Sequence, residues 1–541
     1  MKEYKRMNLR GSRNVSLKTP VFFSKEISIS HKTVYSLAYF LLAASFPVFL
    51  LTHMKLILAL PLLFLFVFGL FRLYFSLEEE FLEKLKLPIA SVILLIAAVL
   101  LFSWLAGQGG FFPQKYDHLW RNALFRDLIM EPWPVAYEVL PGSRLVYYYN
   151  YWLVPAAAAK LFLPFGERVA VEAGHVFLFL WTSSWLFTML LLCCIKLKFK
   201  SLSKLFLLVI IFFFFSGMDC IGFWLKKKTI LAFHLEWWTY FQYSSIFTQL
   251  AWVFNQAVPA WLCVMLIYDD EKTWHHVAIL SFCFLYAPFP AVGLAGIVAC
   301  LYLFKLIASW RNHEVPVFFK KIFCAGNMEI LFSIFPVMAL FYLCNDSVSN
   351  SVSVSMDAGS APKGTVPMFA FLLRNTFLLK NYLLFIAIEF LGIVLLLWKN
   401  HRRDLIFYAA ALELLVLPMF YMGIDFCMRV PVPALCFLAI FTVKFLISEE
   451  MAQPYDKARK YILILILMIG AVTPIVEIGG ACYLACKVKM KDWRLNLIYT
   501  FTRKETVKHG FGNFVSKDAS QKFFFRYLAK PSIPQSSPPQ E

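Results

Sequence analysis

"LVYYYNYWLVPAAAAKLFLPFGERV", residues 145–169, is the stretch on which the architecture turns. It is apolar enough to be taken for a membrane span, yet it carries Pro155 and Pro164. It opens with Tyr147, Tyr148, Tyr149, Tyr151 and Trp152, side chains that favour the membrane–water interface. If it crossed, the basic loop "KLKFKSLSK" at 196–204 would lie outside the cell. If it lies along the outer face, that loop falls inside with "DDEKTWHH" (269–276), "SWRNHEVPVFFKK" (309–321) and "KNHRRD" (399–404). Lys and Arg gather on the cytoplasmic side, so the second threading is preferred.

Outward from this stretch the chain is mostly hydrocarbon: of 541 residues, 60% are apolar, 18% aromatic and only 16% charged. Such a composition cannot cover one soluble core with polar surface. It predicts an all-α, polytopic membrane helix bundle, a multi-pass protein of the cell membrane. Spans are expected at 34–53, 56–76, 88–106, 169–195, 205–218, 247–268, 275–288, 291–307, 328–344, 381–398, 404–421, 432–447 and 461–482, thirteen in all. Residues 1–33 carry eight Lys or Arg against Glu3 and Glu26, which places the N-terminus in the cytoplasm. An odd number of spans after 34–482 then puts the basic tail, 483–541, outside the cell as a small appendage on the membrane. Outside as well fall "SGMDCIG" (216–222), "FHLEWWTYFQYSS" (233–245), "MGIDFCMRVP" (422–431) and the Ser-rich loop 345–378, long enough for a lid.

The net charge of +19 sits beside apolar helix ends, where anionic lipid headgroups are the expected partner and nucleic acid is not. Most of the twelve Cys fall in apolar runs without metal-ligand spacing and suggest no disulfide framework. Glu172 and His175 in "EAGH" stand three apart on a helix, but a di-iron bundle needs a second such pair and there is none.

The polar island "FFPQKYDHLWRNALFRDLI" (111–129) follows the third span. After Asp117 the apolar residues recur at helical spacing, predicting an amphipathic helix over 118–130 on the outer surface with Asp117 at its N-cap. The plain reading is that Asp117 caps the first turn and pairs with Arg121 four residues on. Arg429 likewise stands four residues after Asp425. Trp237 and Trp238 suit either an interfacial anchor or a stacking surface for a sugar or isoprenoid. Glu389 and Glu413 fall near the middle of consecutive spans, where a lone carboxylate must face protein or water.

A helix rising from the cytoplasm, then "YDHLWRN" opening a surface helix, resembles the first outer loop of the C-type (GT-C) membrane glycosyltransferases. The aromatic segment 145–169, with its "FG" turn and Arg168, is similar in layout to that superfamily's next element. Asp219 in "SGMDCIG" stands where its second acidic motif falls. The resemblance covers about 88–225 by motif; His118 follows Asp117 in place of a second acidic residue, and the first hairpin is extra.

The resemblance implies a GT-C-like fold and an inverting transfer of sugar, on the outer face, from a polyprenyl-phosphate donor to a glycan, lipid or protein hydroxyl. Asp117 would be the general base. Arg429, Arg121 and Arg374 would meet the leaving phosphate, with His118, Asp219, Trp237, Trp238 and Asp425 in the binding site. A divalent ion, Mg or Mn, would be shared by Asp117 and Asp219 if one is used. Two other classes stay open: a transporter or flippase of lipid-linked glycans, working through Glu389 and Glu413, and a non-catalytic envelope-assembly protein.

Overall fold

The computed structural model describes residues 25–77, 83–137, 139–268, 273–346, 376–419, 424–447, 454–488, 493–494, 500–502 and 514–531. Among the described residues nine helical segments are long and apolar enough to cross a bilayer: His31–His53, Leu56–Phe75, Glu167–Leu197, Ile246–Ile267, Pro288–Arg311, Ala325–Tyr342, Thr376–His401, Asp425–Ile447 and Pro454–Lys487. Four shorter apolar helices, Ile89–Leu105, Leu202–Phe213, His276–Tyr286 and Leu405–Met419, stand where the sequence predicts the remaining spans. They are short for physical reasons. His276–Tyr286 runs into Pro288, whose ring cannot continue a preceding helix, and the helix restarts there. Leu202–Phe213 ends in a non-helical stretch before the next helix, Asp219–Lys227.

The helix within segment 145–169 is too short to cross by itself. This helix, Asn150–Lys160, has eleven residues and so spans about 16 Å, half a hydrocarbon core. The segment's aromatic residues nevertheless do not meet headgroups as expected: Tyr147, Tyr149, Tyr151 and Trp152 are buried within the protein. Helix Ile246–Ile267 lies at the centre of the bundle, with 94% of its apolar window covered, against 22% for Leu56–Phe75. The latter turns Ile57, Phe64 and Phe75 outward, as a lipid-facing helix must.

Leu56–Phe75 also defines the two faces. Beyond its C-terminal end, the Leu77 carbonyl accepts from Lys32 Nζ, next to the antiparallel pair of strands Glu26–Ser30 and Lys84–Pro88. This small sheet departs from the all-helical expectation and ties the entrance of the first helix to that of Ile89–Leu105. At the other end the Lys55 amide donates to Leu528 O, and the Lys530 amide to His53 O. The described tail residues therefore lie at the end of this helix opposite the N-terminal strand.

Two expectations for that face are corrected. The described tail residues do not lie loose on the membrane; they strap the protein. Val515–Ser516 pairs antiparallel with Arg144–Leu145, and Val146 N donates to Phe514 O. Helix His118–Met130 is consequently not a surface helix, since ten of its thirteen residues are buried. Asp127, on what would be its wet side, accepts from Thr500 Oγ1 and from Phe501 N at 2.9 Å. Burial raises its carboxyl to about 7. The proposed lid, 345–378, lies outside the described residues except at its ends, where Asn345 Nδ2 donates to Val146 O and Asp346 pairs with Lys522.

Candidate functional site

The site is built on a break in the central helix. Ile246–Ile267 is interrupted at Val253 (φ −134°, ψ 33°), and around the break three successive carbonyls accept side-chain donors. Gln108 Nε2 reaches Leu250 O at 3.0 Å, His118 Nε2 reaches Ala251 O at 2.9 Å, and Arg121 Nη1 reaches Trp252 O. A carbonyl without its helical partner needs a donor when buried, and the polar island supplies them.

That fixes the chemistry of His118. A ring nitrogen facing a carbonyl must carry a proton, so Nε2 donates and Nδ1 accepts from Gln114 Nε2 at 3.2 Å. Burial, reinforced by Arg121, lowers His118 to about 4 and keeps it neutral. The residue expected to touch substrate is thus turned inward, where it positions the helix.

Asp117 does occupy the N-cap position, but with helical backbone angles and no capping hydrogen bond. Its carboxylate instead pairs with Arg121 at 3.0 Å; the Asp is 36% exposed and the Arg only 3%. A second buried guanidinium approaches from the other side of the bundle. Arg429, at the end of the short helix Ile424–Arg429, pairs with Asp425 at 3.0 Å and donates through Nη1 to the Tyr148 hydroxyl at 2.5 Å. Its Nε has no partner among the described residues. Between the two arginines the rings of Tyr147 and Tyr148 lie 3.7 Å apart. The Tyr147 phenol feels both Arg121 and Arg429, and Arg429 feels Asp117. Asp117, Arg121, Tyr147, Tyr148, Asp425 and Arg429 thus form one constellation, roofed by Phe514 of the tail 4.5 Å from Tyr147.

Asp219 belongs elsewhere. Its Oδ2 accepts from Ser216 Oγ at 3.0 Å and Thr473 Oγ1 at 3.1 Å, and its carboxyl contacts that of Glu389. Glu389 in turn accepts from Trp238 Nε1 at 3.2 Å, which is where the expected sugar-stacking Trp238 is used. Trp237 is half exposed and lies against His234, 4.3 Å between ring centres. Nearby, Glu477 is held by Lys115 and His234, each at 2.5 Å, and by Trp252 Nε1 at 3.2 Å. Glu236 accepts from Ser245 N and from Gln242 Nε2, both at 2.9 Å. The sequence reading did not single out Glu477, Glu236, His234 or Lys115, although Glu477 in "TPIVEIGG" carries the same signal as Glu389, one acid within an apolar span.

Trp252 touches both groups, its carbonyl taken by Arg121 and its indole by Glu477. A divalent ion shared by Asp117 and Asp219 does not fit these donors. The first carboxylate faces a guanidinium, and one oxygen of the second is occupied by two hydroxyls. The described residues contain no cluster of three or more His, Cys, Asp or Glu suited to a metal. Arg374 lies outside the described residues. The carboxyl oxygens of Glu413 are buried with no hydrogen-bond partner among the described residues, against Gly293. No family model, curated protein or solved structure matches the chain.

Proposed function

We propose that this protein is an integral-membrane glycosyltransferase that takes a sugar from a polyprenyl-phosphate donor on the face bearing Asp117, with the N-terminal strand on the cytoplasmic side. The observation that carries the reading is the constellation itself: a half-open carboxylate beside two buried guanidiniums and two phenols. Asp117 accepts the proton of the acceptor hydroxyl as its oxygen attacks the anomeric carbon; the bond from that carbon to the phosphate oxygen breaks, and the lipid phosphate leaves with the electron pair. A guanidinium presents paired N–H groups that match phosphate oxygens, and buried ones act in a medium where water does not weaken them. Arg429, whose Nε has no partner among the described residues, binds the leaving phosphate; Arg121 aims the Asp117 carboxylate. Tyr148 orients Arg429 through the hydroxyl that accepts from it.

Asp117→Asn in purified protein is expected to lower transfer from a lipid-linked donor by about 10²–10⁴-fold, the range for a general base, with thermal stability preserved. Unchanged transfer removes the assignment. Transport of a lipid-linked glycan predicts the reverse pattern, with Glu389→Gln and Glu413→Gln abolishing function and Asp117→Asn mild.

A further inference from the structure

Beside the arginine constellation lie four carboxyl side chains, Asp219, Glu236, Glu389 and Glu477, all 3% exposed or less. Two bases accompany them, Lys115 and His234. Were every group charged, the negative charges would outnumber the positive by two in a place closed to water, and an uncompensated buried charge costs several kcal/mol. A bound proton lowers that excess from two to one, and the hydrogen bonds say where it sits. Glu477 accepts from an ammonium, an imidazole and an indole, so it is ionised. Glu236 accepts from a backbone amide on one oxygen and an amide side chain on the other, so both already have donors.

Asp219 and Glu389 remain, in contact with one another. Asp219 is already an acceptor for two hydroxyls, whereas Glu389 Oε2 is the one carboxylate oxygen of the four residues that is buried with no hydrogen-bond partner among the described residues. A proton on Glu389 resolves both facts at once, because it lets Glu389 donate to Asp219. The backbone is shaped for this meeting. Glu389 sits in a π-helical turn, Ala387–Leu391, a widened turn often found at functional positions. A Cβ at Gly217 would collide with the Glu389 carboxyl and backbone, so only glycine permits the approach.

We propose that Asp219 and Glu389 hold an exchangeable proton between them, forming an H⁺-binding site inside the bundle that communicates with the outer face through Glu236, His234, Glu477 and Lys115. The titratable groups facing the pair are Glu236 and His234 from segment 228–245, Tyr243 from the same segment, Cys220 on the helix of Asp219, and Glu477 beyond His234. Gln242 Nε2 lies between Glu236, at 2.9 Å, and His234, at 3.4 Å, and the pair feels the Glu236 charge. Burial opposes charge on His234, but its bond to Glu477 and the neighbouring acids raise it overall, so it can register a change in the pair. This inference does not depend on the sugar-transfer reading.

Infrared difference spectra of the full chain in nanodiscs, taken as buffer is stepped from acid to alkaline, test it. The expected result is a carbonyl-stretch band of a protonated carboxylic acid that persists at neutral pH, shifts in D₂O and is missing from Glu389→Gln. Trp238→Phe, which keeps an aromatic ring but removes the hydrogen bond to Glu389, should move the band without abolishing it, and serves if Glu389→Gln does not fold. A neutral-pH spectrum without the band, or a band indifferent to both substitutions, overturns the proposal. So does a band that disappears on adding Na⁺ at fixed pH, which would assign the site to a metal cation.

Discussion

The two polar groups on either side of Trp252 are electrical opposites. Around Arg121 and Arg429 positive charge is buried and a hydrogen-bonding nitrogen is left over, so the missing partner is an anion. Around Asp219 and Glu389 negative charge is in excess and an acceptor oxygen is left over, so the missing partner is a proton. In a membrane protein both kinds of imbalance are expensive and neither is retained for stability alone. The lesson is that an unspent donor and an unspent acceptor point to different ligands, even when one tryptophan touches both groups.

The comparison breaks most readily at Asp117, where loss of the carboxylate without loss of stability is the largest expected effect. If Asp117→Asn and Glu389→Gln reduced sugar transfer equally, the two groups would be one machine. Lys115→Met sharpens the separation. It leaves Glu477 short of its cation and is expected to cost about 3–5 kcal/mol of stability, the range for breaking a buried pair, read by thermal unfolding in detergent. Adding Glu477→Gln should recover part of that loss, and a double variant no better than the single one would show that the pair does not interact.

Two titrations on helix His118–Met130 oppose one another. His118 falls from 6.5 to about 4, so the unfolded chain binds the extra proton between these values and stability is lost as pH drops through them. Asp127 rises from 3.8 to about 7, so the folded chain binds the extra proton there and stability is lost as pH climbs. Each is on the order of 3–4 kcal/mol over its window and they largely cancel. Asp127→Asn should therefore expose a protein less stable at pH 4 than at pH 7, and His118→Gln one with the opposite slope; parallel slopes would refute both assignments. The smallest effect expected is Arg429→Lys, about 10²-fold in transfer, since the charge stays and the planar fork is lost.

Much of this architecture is written in local pattern. Each of the thirteen apolar runs meets an apolar helix, nine of them long enough to cross a bilayer, because hydropathy and length act on contiguous residues. The Asp117–Arg121 and Asp425–Arg429 pairs were legible for the same reason, each being one helical turn apart. What periodicity cannot carry is distance along the chain. Asp127 meets Thr500 across 373 residues, and Asp219 meets Thr473 across 254. The inward turn of His118 depended on a break at Val253 with no Gly or Pro beside it, since Pro259 lies six residues on. Asp117 was read as a cap, but Arg121, already anchored on Trp252 O, draws the carboxylate away from the helix amides.

The strand Val515–Ser516 closes over Arg144–Leu145, so the order of synthesis matters. Every membrane helix can be inserted while Tyr147 and Trp120 still lack the rings of Phe501 and Phe514 that stack on them. A nascent chain therefore cannot close this pocket until residues 501–516 have joined it, which makes its completion a late checkpoint in assembly.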